Sequence, residues 1–123
     1  MLKSILTAVT AAAFLAMPAL AEDLSVGHSK GSKDAPLTII EYGSLTCGGC
    51  KYFHDKILPR IEADYIETGK VRFIFREVLR NDVDTALVTM ARCAGRDKFF
   101  EATDTMFARQ PDVIKSAQAS TVL

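Results

Sequence analysis

Two short apolar segments, separated by a stretch with helical spacing, constrain the fold of this chain most strongly. Residues 37–42 and 71–76 are rich in β-branched and aromatic side chains, which is typical of strands. The first is apolar enough to predict a central strand buried on both faces. The segment between them is long enough to return the chain for parallel pairing, with the right-handed connection usual for such units. The sequence therefore predicts an α/β fold built on a βαβ unit.

The crossover between these strands is predicted to be an amphipathic helix. Thr46 is placed to cap its first turn, Pro59 predicts a kink at residues 55–58, and Gly69 ends it. Its apolar face is predicted from five residues at helical spacing, namely Cys50, Phe53, Ile57, Ile61 and Ile66.

The first 36 residues are predicted to lie outside the domain. Residues 1–21 have the pattern of a signal peptide, with Lys3 at the start, an apolar core and Ala19-Leu20-Ala21 at the cleavage site. An uncleaved anchor is the alternative, but the apolar run is shorter than the ~20 residues a membrane-spanning helix needs, so no stable insertion is expected. Residues 22–36 are polar and turn-rich, which predicts an N-terminal arm.

The part of the chain after the second strand is predicted to be helical. Helices are expected at 82–94, capped by Asn81 or Asp82, and at 97–108, with Gly95 between them. Residues 110–112 allow a short third helix to start, and residues 116–123 lack a periodic pattern. Phenylalanines at 99, 100 and 107 predict a core-facing stripe. The domain is thus predicted to run from residue 37 to residue 123.

Charge balance excludes some partners. Fifteen basic residues are matched by 15 acidic residues, so net charge would not attract nucleic acid or an anionic membrane. The apolar fraction of 49% is ordinary for a globular protein and argues against disorder.

Cys47-Gly48-Gly49-Cys50 lies between the first predicted strand and the helix, and it predicts thiol–disulfide chemistry. A thiolate is the reacting species, and the N–H groups and dipole at a helix N-terminus stabilise it at the first cysteine more than one turn later. Cys47 is therefore predicted to attack and Cys50 to resolve the mixed disulfide. Gly48 and Gly49 add no charge, so the Cys47 thiolate must be stabilised by the backbone and by neighbouring residues. No cofactor is required.

Nearby titratable residues are open to more than one interpretation. Glu41 either lies beneath the turn, where its carboxylate could exchange a proton with Cys50, or reaches solvent at the strand end. His54 shares a helical face with Cys50, but histidines there are more often simply packed. Lys51 is expected to be a solvated charge, and no specific role is expected for His28.

Two alternatives to catalysis remain open. Cys47, Cys50 and His54 could form a metal-binding module, although Cys93 stands alone on a different predicted helix and closed zinc sites normally use paired ligands. The cysteine pair could also be a static disulfide in an inactive fragment. Cys93 is then left as a buried thiol, an intermolecular partner or half of a bond whose other half is absent.

The chain resembles the DsbA-type disulfide oxidoreductases of thioredoxin fold across residues 31–110. The segments that carry the resemblance are residues 34–42, Ser44-Leu45-Thr46-Cys47-Gly48-Gly49-Cys50, Phe53-His54, residues 71–77 and Met90-Ala91-Arg92-Cys93-Ala94. The resemblance implies a thioredoxin-like sheet, a helical insertion starting at residue 82, disulfide exchange at Cys47 and Cys50, and Glu41 as the proton-transfer acid. It also implies a periplasmic location.

The chain departs from this family in two ways. The family usually has Pro-His or another bulky pair between its cysteines, where this chain has Gly48-Gly49, so redox direction stays open. The family's second half, with a cis-proline loop and the last strands, has no match here, which predicts an incomplete domain with an unpaired sheet edge. In some relatives the cysteine matching Cys93 bonds to one further along. The implied partners are thiol-containing exported proteins and a quinone-linked membrane reoxidase or a reductant.

Overall fold

The computed structural model describes residues 23–120, and the predicted signal peptide lies outside them. A three-stranded sheet has the order β1-β3-β2, with β1 at His28–Lys30, β2 at Leu37–Gly43 and β3 at Val71–Glu77. Strands β2 and β3 are parallel, with Glu41 opposite Phe75, and β1 is antiparallel to β3. The predicted βαβ unit is confirmed.

The central strand of the sheet is β3, so the prediction that residues 37–42 form the buried central strand was wrong. Phe73, Ile74 and Phe75 are fully buried, whereas Leu37 on β2 is 64% exposed. Within residues 23–120, β2 pairs along one edge only. The β-branched composition of β2 indicates that it forms a strand. The position of a strand in the sheet depends on which distant segments pair with it, so composition does not predict that position.

Strand β1 lies within the segment predicted as an arm without regular structure. His28 anchors it: the His28 ring stacks on Phe99 with centroids 3.4 Å apart, and its Nε2 lies 3.4 Å from Glu77 Oε1. The expectation that His28 has no specific role was therefore wrong. Three residues with no apolar alternation give too weak a local signal for a strand. The boundary at residue 36 stays a prediction.

The crossover is one helical segment that alternates between α and π geometry. It runs through α1 at Gly48–Tyr52, a π turn at Phe53–Ile57, α2 at Leu58–Ile61 and a second π turn at Glu62–Ile66. Each π turn adds a residue and rotates the side chains that come after it around the helix axis. For that reason Ile57, predicted on the apolar face, is 41% exposed while Leu58 is buried. Gly69 comes after the segment at φ 76°, which a residue with a Cβ would adopt only with strain.

Three further helices follow β3 within residues 23–120. These are α3 at Asp82–Cys93, α4 at Phe99–Ala108 after a 3₁₀ turn at Arg96–Lys98, and α5 at Gln110–Ser120. Asn81 caps α3 by accepting from the Asp84 N–H at 2.9 Å, as predicted. Helix α5 continues to Ser120, so the prediction that regular structure is lost from residue 116 was wrong. Periodicity is weak there, but the residues include good helix formers such as Ala117 and Ala119.

An aromatic core joins the sheet to α4. Phe73, Phe75, Phe99 and Phe107 are fully buried, and Phe75 packs near both Phe99 and Phe107 with centroids 6.1 and 6.4 Å away. The predicted phenylalanine stripe thus faces the core. None of the helices between residues 23 and 120 has the length and apolar character needed to cross a membrane.

Candidate active site

Cys47 is the residue that begins the helical crossover. Its backbone is extended, with φ −87° and ψ 121°, while its carbonyl accepts the Lys51 N–H at 3.0 Å. Cys47 therefore occupies the N-cap position that was predicted for Thr46, and the Thr46 hydroxyl is engaged elsewhere. Both Cys47 and Cys50 are free, partly exposed thiols in this structure.

The helix start lowers the pKa of the Cys47 thiol. The largest cause is the backbone N–H of Cys50, which donates to the Cys47 sulfur, followed by the Cys50 S–H. Partial burial opposes this effect, and the Gly49 N–H and the positive charge of Arg80 add to it. Donors aimed at one sulfur favour its charged form, which is the nucleophilic form.

The pKa of the Cys50 thiol is shifted in the opposite direction, upward. Burial is the largest cause that raises its pKa, and the sulfur of Cys47 and the carboxylate of Glu41 raise it further, against the Ser44 N–H, which lowers it. The two thiols thus differ in the way an attacking and a resolving cysteine should differ. Their assignment to those roles remains a prediction.

Alkylation kinetics should resolve the two thiols by pH. We expect the rate of Cys47 modification by iodoacetamide to rise with a midpoint at lower pH than in the unfolded protein, because folding stabilises its thiolate. The Cys50 midpoint should lie at higher pH than in the unfolded protein. Peptide mass spectrometry at each pH would separate the sites, with the protein in urea as the unfolded control. Equal midpoints for both cysteines in the folded protein would contradict this expectation.

A buried carboxylate holds the loop that leads into Cys47. Asp84 on α3 is fully buried, and its oxygens accept from Ser44 Oγ at 3.0 Å, from the Thr46 N–H at 3.0 Å and from Thr46 Oγ1 at 3.2 Å. The Arg80 N–H donates to it as well, at 3.0 Å. Sequence reasoning missed this residue. Its only local signal was an acidic side chain three positions after the Asn81 cap.

A second polar side chain reaches the same loop from α5. Gln110 is buried, and its Nε2 donates to the carbonyl of Leu45 at 2.8 Å and to that of Cys47 at 3.0 Å. It therefore fixes the backbone on which the reactive sulfur is carried. Sequence reasoning missed this residue too, because the contact joins positions more than sixty residues apart.

Glu41 and His54 meet below the cysteine turn. His54 Nε2 and Glu41 Oε2 share a hydrogen bond of 2.9 Å, and His54 Nδ1 lies 3.5 Å from Asp104 Oδ1 on α4. Burial lowers the pKa of His54, but Asp104 and Glu41 outweigh it and the net shift is upward. Glu41 is turned inward, which favours the first of its two sequence interpretations over the solvent-exposed one. His54 is packed, as expected, but it also contacts two carboxylates.

The remaining candidates lie apart from this centre. Lys51 Nζ pairs with Asp55 at 2.8 Å, and Cys93 is an exposed free thiol at the end of α3. Within residues 23–120, no three or more His, Cys, Asp or Glu side chains are arranged to hold a metal ion. An open cavity of about 470 Å³ begins at Thr46, beside Cys47, and continues between residues 80–83 and α5.

Comparison with known proteins finds similarity to proteins that are named for disulfide chemistry. Residues 24–121 match the family model described as Thioredoxin. The chain is 34% identical over 86 residues to "Disulfide bond formation protein D" of Bacillus subtilis, covering 67% of this chain and 39% of that protein. It is 33% identical over 82 residues to a "Putative protein-disulfide oxidoreductase" of Rickettsia bellii, covering 67% of this chain and 32% of that protein.

The chain is also similar to solved structures of proteins of this kind. Oxidised BdbD from Bacillus subtilis superimposes with a TM-score of 0.63 at 32% identity, over 70% of this chain and 49% of that one. Alpha-DsbA1 of Wolbachia pipientis superimposes with a TM-score of 0.64 at 26% identity, over 80% of this chain and 54% of that one. The chain thus spans about a third to two fifths of the curated relatives and about half of the solved ones.

Proposed function

Because the chain belongs to the thioredoxin family and is of the DsbA type, we propose that it exchanges disulfides with protein thiols through Cys47 and Cys50. The observation that carries this proposal is the opposite shift of the two pKa values across a single helical turn. The Cys47 thiol ionises more readily to the reactive thiolate, whereas the Cys50 thiol keeps its proton until the resolving step.

The exchange takes two steps. In the reduced protein, the Cys47 thiolate attacks one sulfur of a partner disulfide, so that a mixed disulfide forms and one partner thiolate leaves. Cys50 then gives up its proton and attacks the Cys47 sulfur, which releases the second partner thiolate and forms the Cys47–Cys50 bond. The partner has gained two electrons and the protein has lost two. The reverse sequence transfers the disulfide to the partner.

The electrostatics of the site favour the direction that donates a disulfide. Stabilising the Cys47 thiolate stabilises the reduced protein, and this raises the reduction potential of the pair. Gly48 and Gly49 supply no charge of their own, so the donors that act on Cys47 are backbone N–H groups, the Cys50 thiol and the charge of Arg80. The cavity beside Thr46, the residue that precedes Cys47, offers space for a partner segment.

The compartment and partners form part of the proposal. The signal-like pattern of residues 1–21 supports export to the periplasm, where disulfides form and persist. Thiol-containing exported proteins would be the partners, and a membrane redox protein would reset the cysteine pair. Relatives named for disulfide bond formation support this assignment. Glu41 is proposed as the proton acceptor for Cys50, since it is turned inward and acts on the Cys50 pKa.

The reduction potential of the cysteine pair tests this function. Equilibration of the exported protein with glutathione buffers, followed by thiol trapping, should give a reversible two-electron transition between about −120 and −270 mV, the span of thioredoxin-fold oxidoreductases. The Cys93→Ser variant should give the same value, which assigns the transition to Cys47 and Cys50. A pair that stays oxidised below about −300 mV would instead be a static disulfide.

A further inference from the structure

The imidazole of His54 occupies a closed aromatic site between two carboxylates. Its ring stacks on Phe107 with centroids 4.2 Å apart and meets the Phe75 ring edge-on at 5.5 Å. Glu41 Oε2 lies 2.9 Å from Nε2, and Asp104 Oδ1 lies 3.5 Å from Nδ1. Both ring nitrogens therefore face an acid, one on β2 and one on α4, and the rings on either side fix the orientation of the imidazole.

These three side chains connect two largely buried groups with an exposed one. The exposed fraction of the side chain is 13% for Glu41, 2% for His54 and 53% for Asp104. Asp104 therefore contacts bulk water, whereas His54 has almost no contact with it. The imidazole lies between Glu41 and Asp104, so it offers a proton on Glu41 a route to the most exposed of the three side chains.

The resolving step needs such a route, because Cys50 must lose a proton before it can attack. We propose that Glu41, His54 and Asp104 form a proton path that connects the Cys50 thiol with solvent, with His54 carrying the proton between the two carboxylates. This proposal rests on the proposed exchange at Cys47 and Cys50 and extends it to residues that the exchange chemistry alone does not require. In this path His54 is a positioning and proton-carrying residue.

The proton balance of the path is complete. Glu41 accepts the proton that leaves Cys50 and passes it to Nε2 of a neutral imidazole that carries its own proton on Nδ1. The imidazolium then gives its Nδ1 proton to Asp104, from which the proton passes to solvent. The net result is one proton moved from Cys50 to solvent, with the imidazole left protonated on Nε2. The reverse exchange returns a proton to Cys50 by the same route and restores the starting tautomer. The upward shift of the His54 pKa favours the imidazolium intermediate. Lys30 is the cation facing the outer end, with Nζ 3.9 Å from Asp104 Oδ2.

A chromogenic disulfide separates the two steps of exchange. In a Cys93→Ser background, the reduced protein would be mixed with 5,5′-dithiobis(2-nitrobenzoate). The first coloured thiolate reports attack by Cys47, and the second reports attack by Cys50 on the mixed disulfide. Because this leaving group departs as a thiolate and needs no proton, the only proton transfer in the second step is the loss of the Cys50 proton.

His54→Gln retains an N–H donor for Glu41 but cannot carry a proton. We expect its second release to be slower by at least about tenfold at about pH 6, with the deficit disappearing as hydroxide takes over at high pH. The first release should be unchanged. Asp104→Asn, an exposed change, should slow the same step by roughly threefold at the same pH, and Glu101→Gln on the same helix should not.

Several results would overturn the path. One is that the second coloured thiolate is released at the wild-type rate in His54→Gln or in Asp104→Asn. Another is that its release is slowed equally at every pH, which would indicate that the substitution has displaced Cys50. If His54→Gln does not fold, Asp104→Asn decides the question alone. Failure of the proposed function gives a different result, because the wild-type protein would then release only one coloured thiolate and form no Cys47–Cys50 bond.

Discussion

Replacing Cys47 with serine should slow exchange between the reduced protein and a substrate disulfide by at least about 10³-fold, because a hydroxyl is a far weaker nucleophile than a thiolate. Replacing Cys50 with serine should have a different effect. The first step should still proceed, since Cys47 keeps its backbone donors, and a mixed disulfide between Cys47 and the substrate should accumulate. Reduction of the substrate disulfide measured by thiol trapping, together with non-reducing electrophoresis for the mixed disulfide, would check both outcomes.

Cys93→Ser provides the matched control for these variants. Cys93 is a free thiol like the other two, but it is exposed at the far end of α3. Its replacement should leave the exchange rate within about twofold of wild type, because surface substitutions away from a site have small effects. Mixed disulfides that form at Cys93 as readily as at Cys47, or accumulate in Cys47→Ser, would contradict the assignment of Cys47 as the nucleophile.

Local patterns were sufficient to predict the parts of the fold that local physics determines. The parallel pair β2 and β3 follows from two β-branched segments joined by a long crossover, and the start of the helix at the cysteine turn follows from the same pattern. The exact cap did not follow, because Thr46 makes long-range hydrogen bonds to Asp84 that take its hydroxyl away from the helix. The predicted apolar face of the crossover helix was wrong at Ile57, because the π turns depart from the 3.6-residue period of an α-helix.

The residues missed by sequence reasoning are those whose contacts are distant along the chain. Asp84 meets Ser44 across forty positions, Gln110 meets Leu45 across sixty-five, and β1 forms only because β3 offers an edge to it. A single sequence has no period or spacing that reports such pairings. The spacing from Cys50 was enough to make His54 a candidate. Its contacts with Glu41 and Asp104 could not be predicted, because they depend on how α4 packs against the sheet.

Asp84→Ala should destabilise the protein by about 3 kcal/mol, because buried donors lose a charged acceptor and water cannot reach all of them. The side chain is fully buried and accepts from Ser44, Thr46 and the Arg80 backbone, so its loss removes one of the side chains that hold the loop before Cys47. For a domain of this size the melting temperature should fall by roughly 15 °C. Urea unfolding at neutral pH would measure the free energy.

Asp82→Ala is the appropriate comparison, since Asp82 is also acidic, lies in the first turn of the same helix and is exposed. It removes a favourable helix-dipole interaction of about 0.5 kcal/mol but no buried hydrogen bond. The difference between the two variants therefore isolates the anchoring of the loop. If Asp84 holds Cys47 in position as the geometry indicates, Asp84→Ala should also slow thiol alkylation at Cys47 under conditions where the protein remains folded. Equal destabilisation by both substitutions would mean that Asp84 acts only through the helix start.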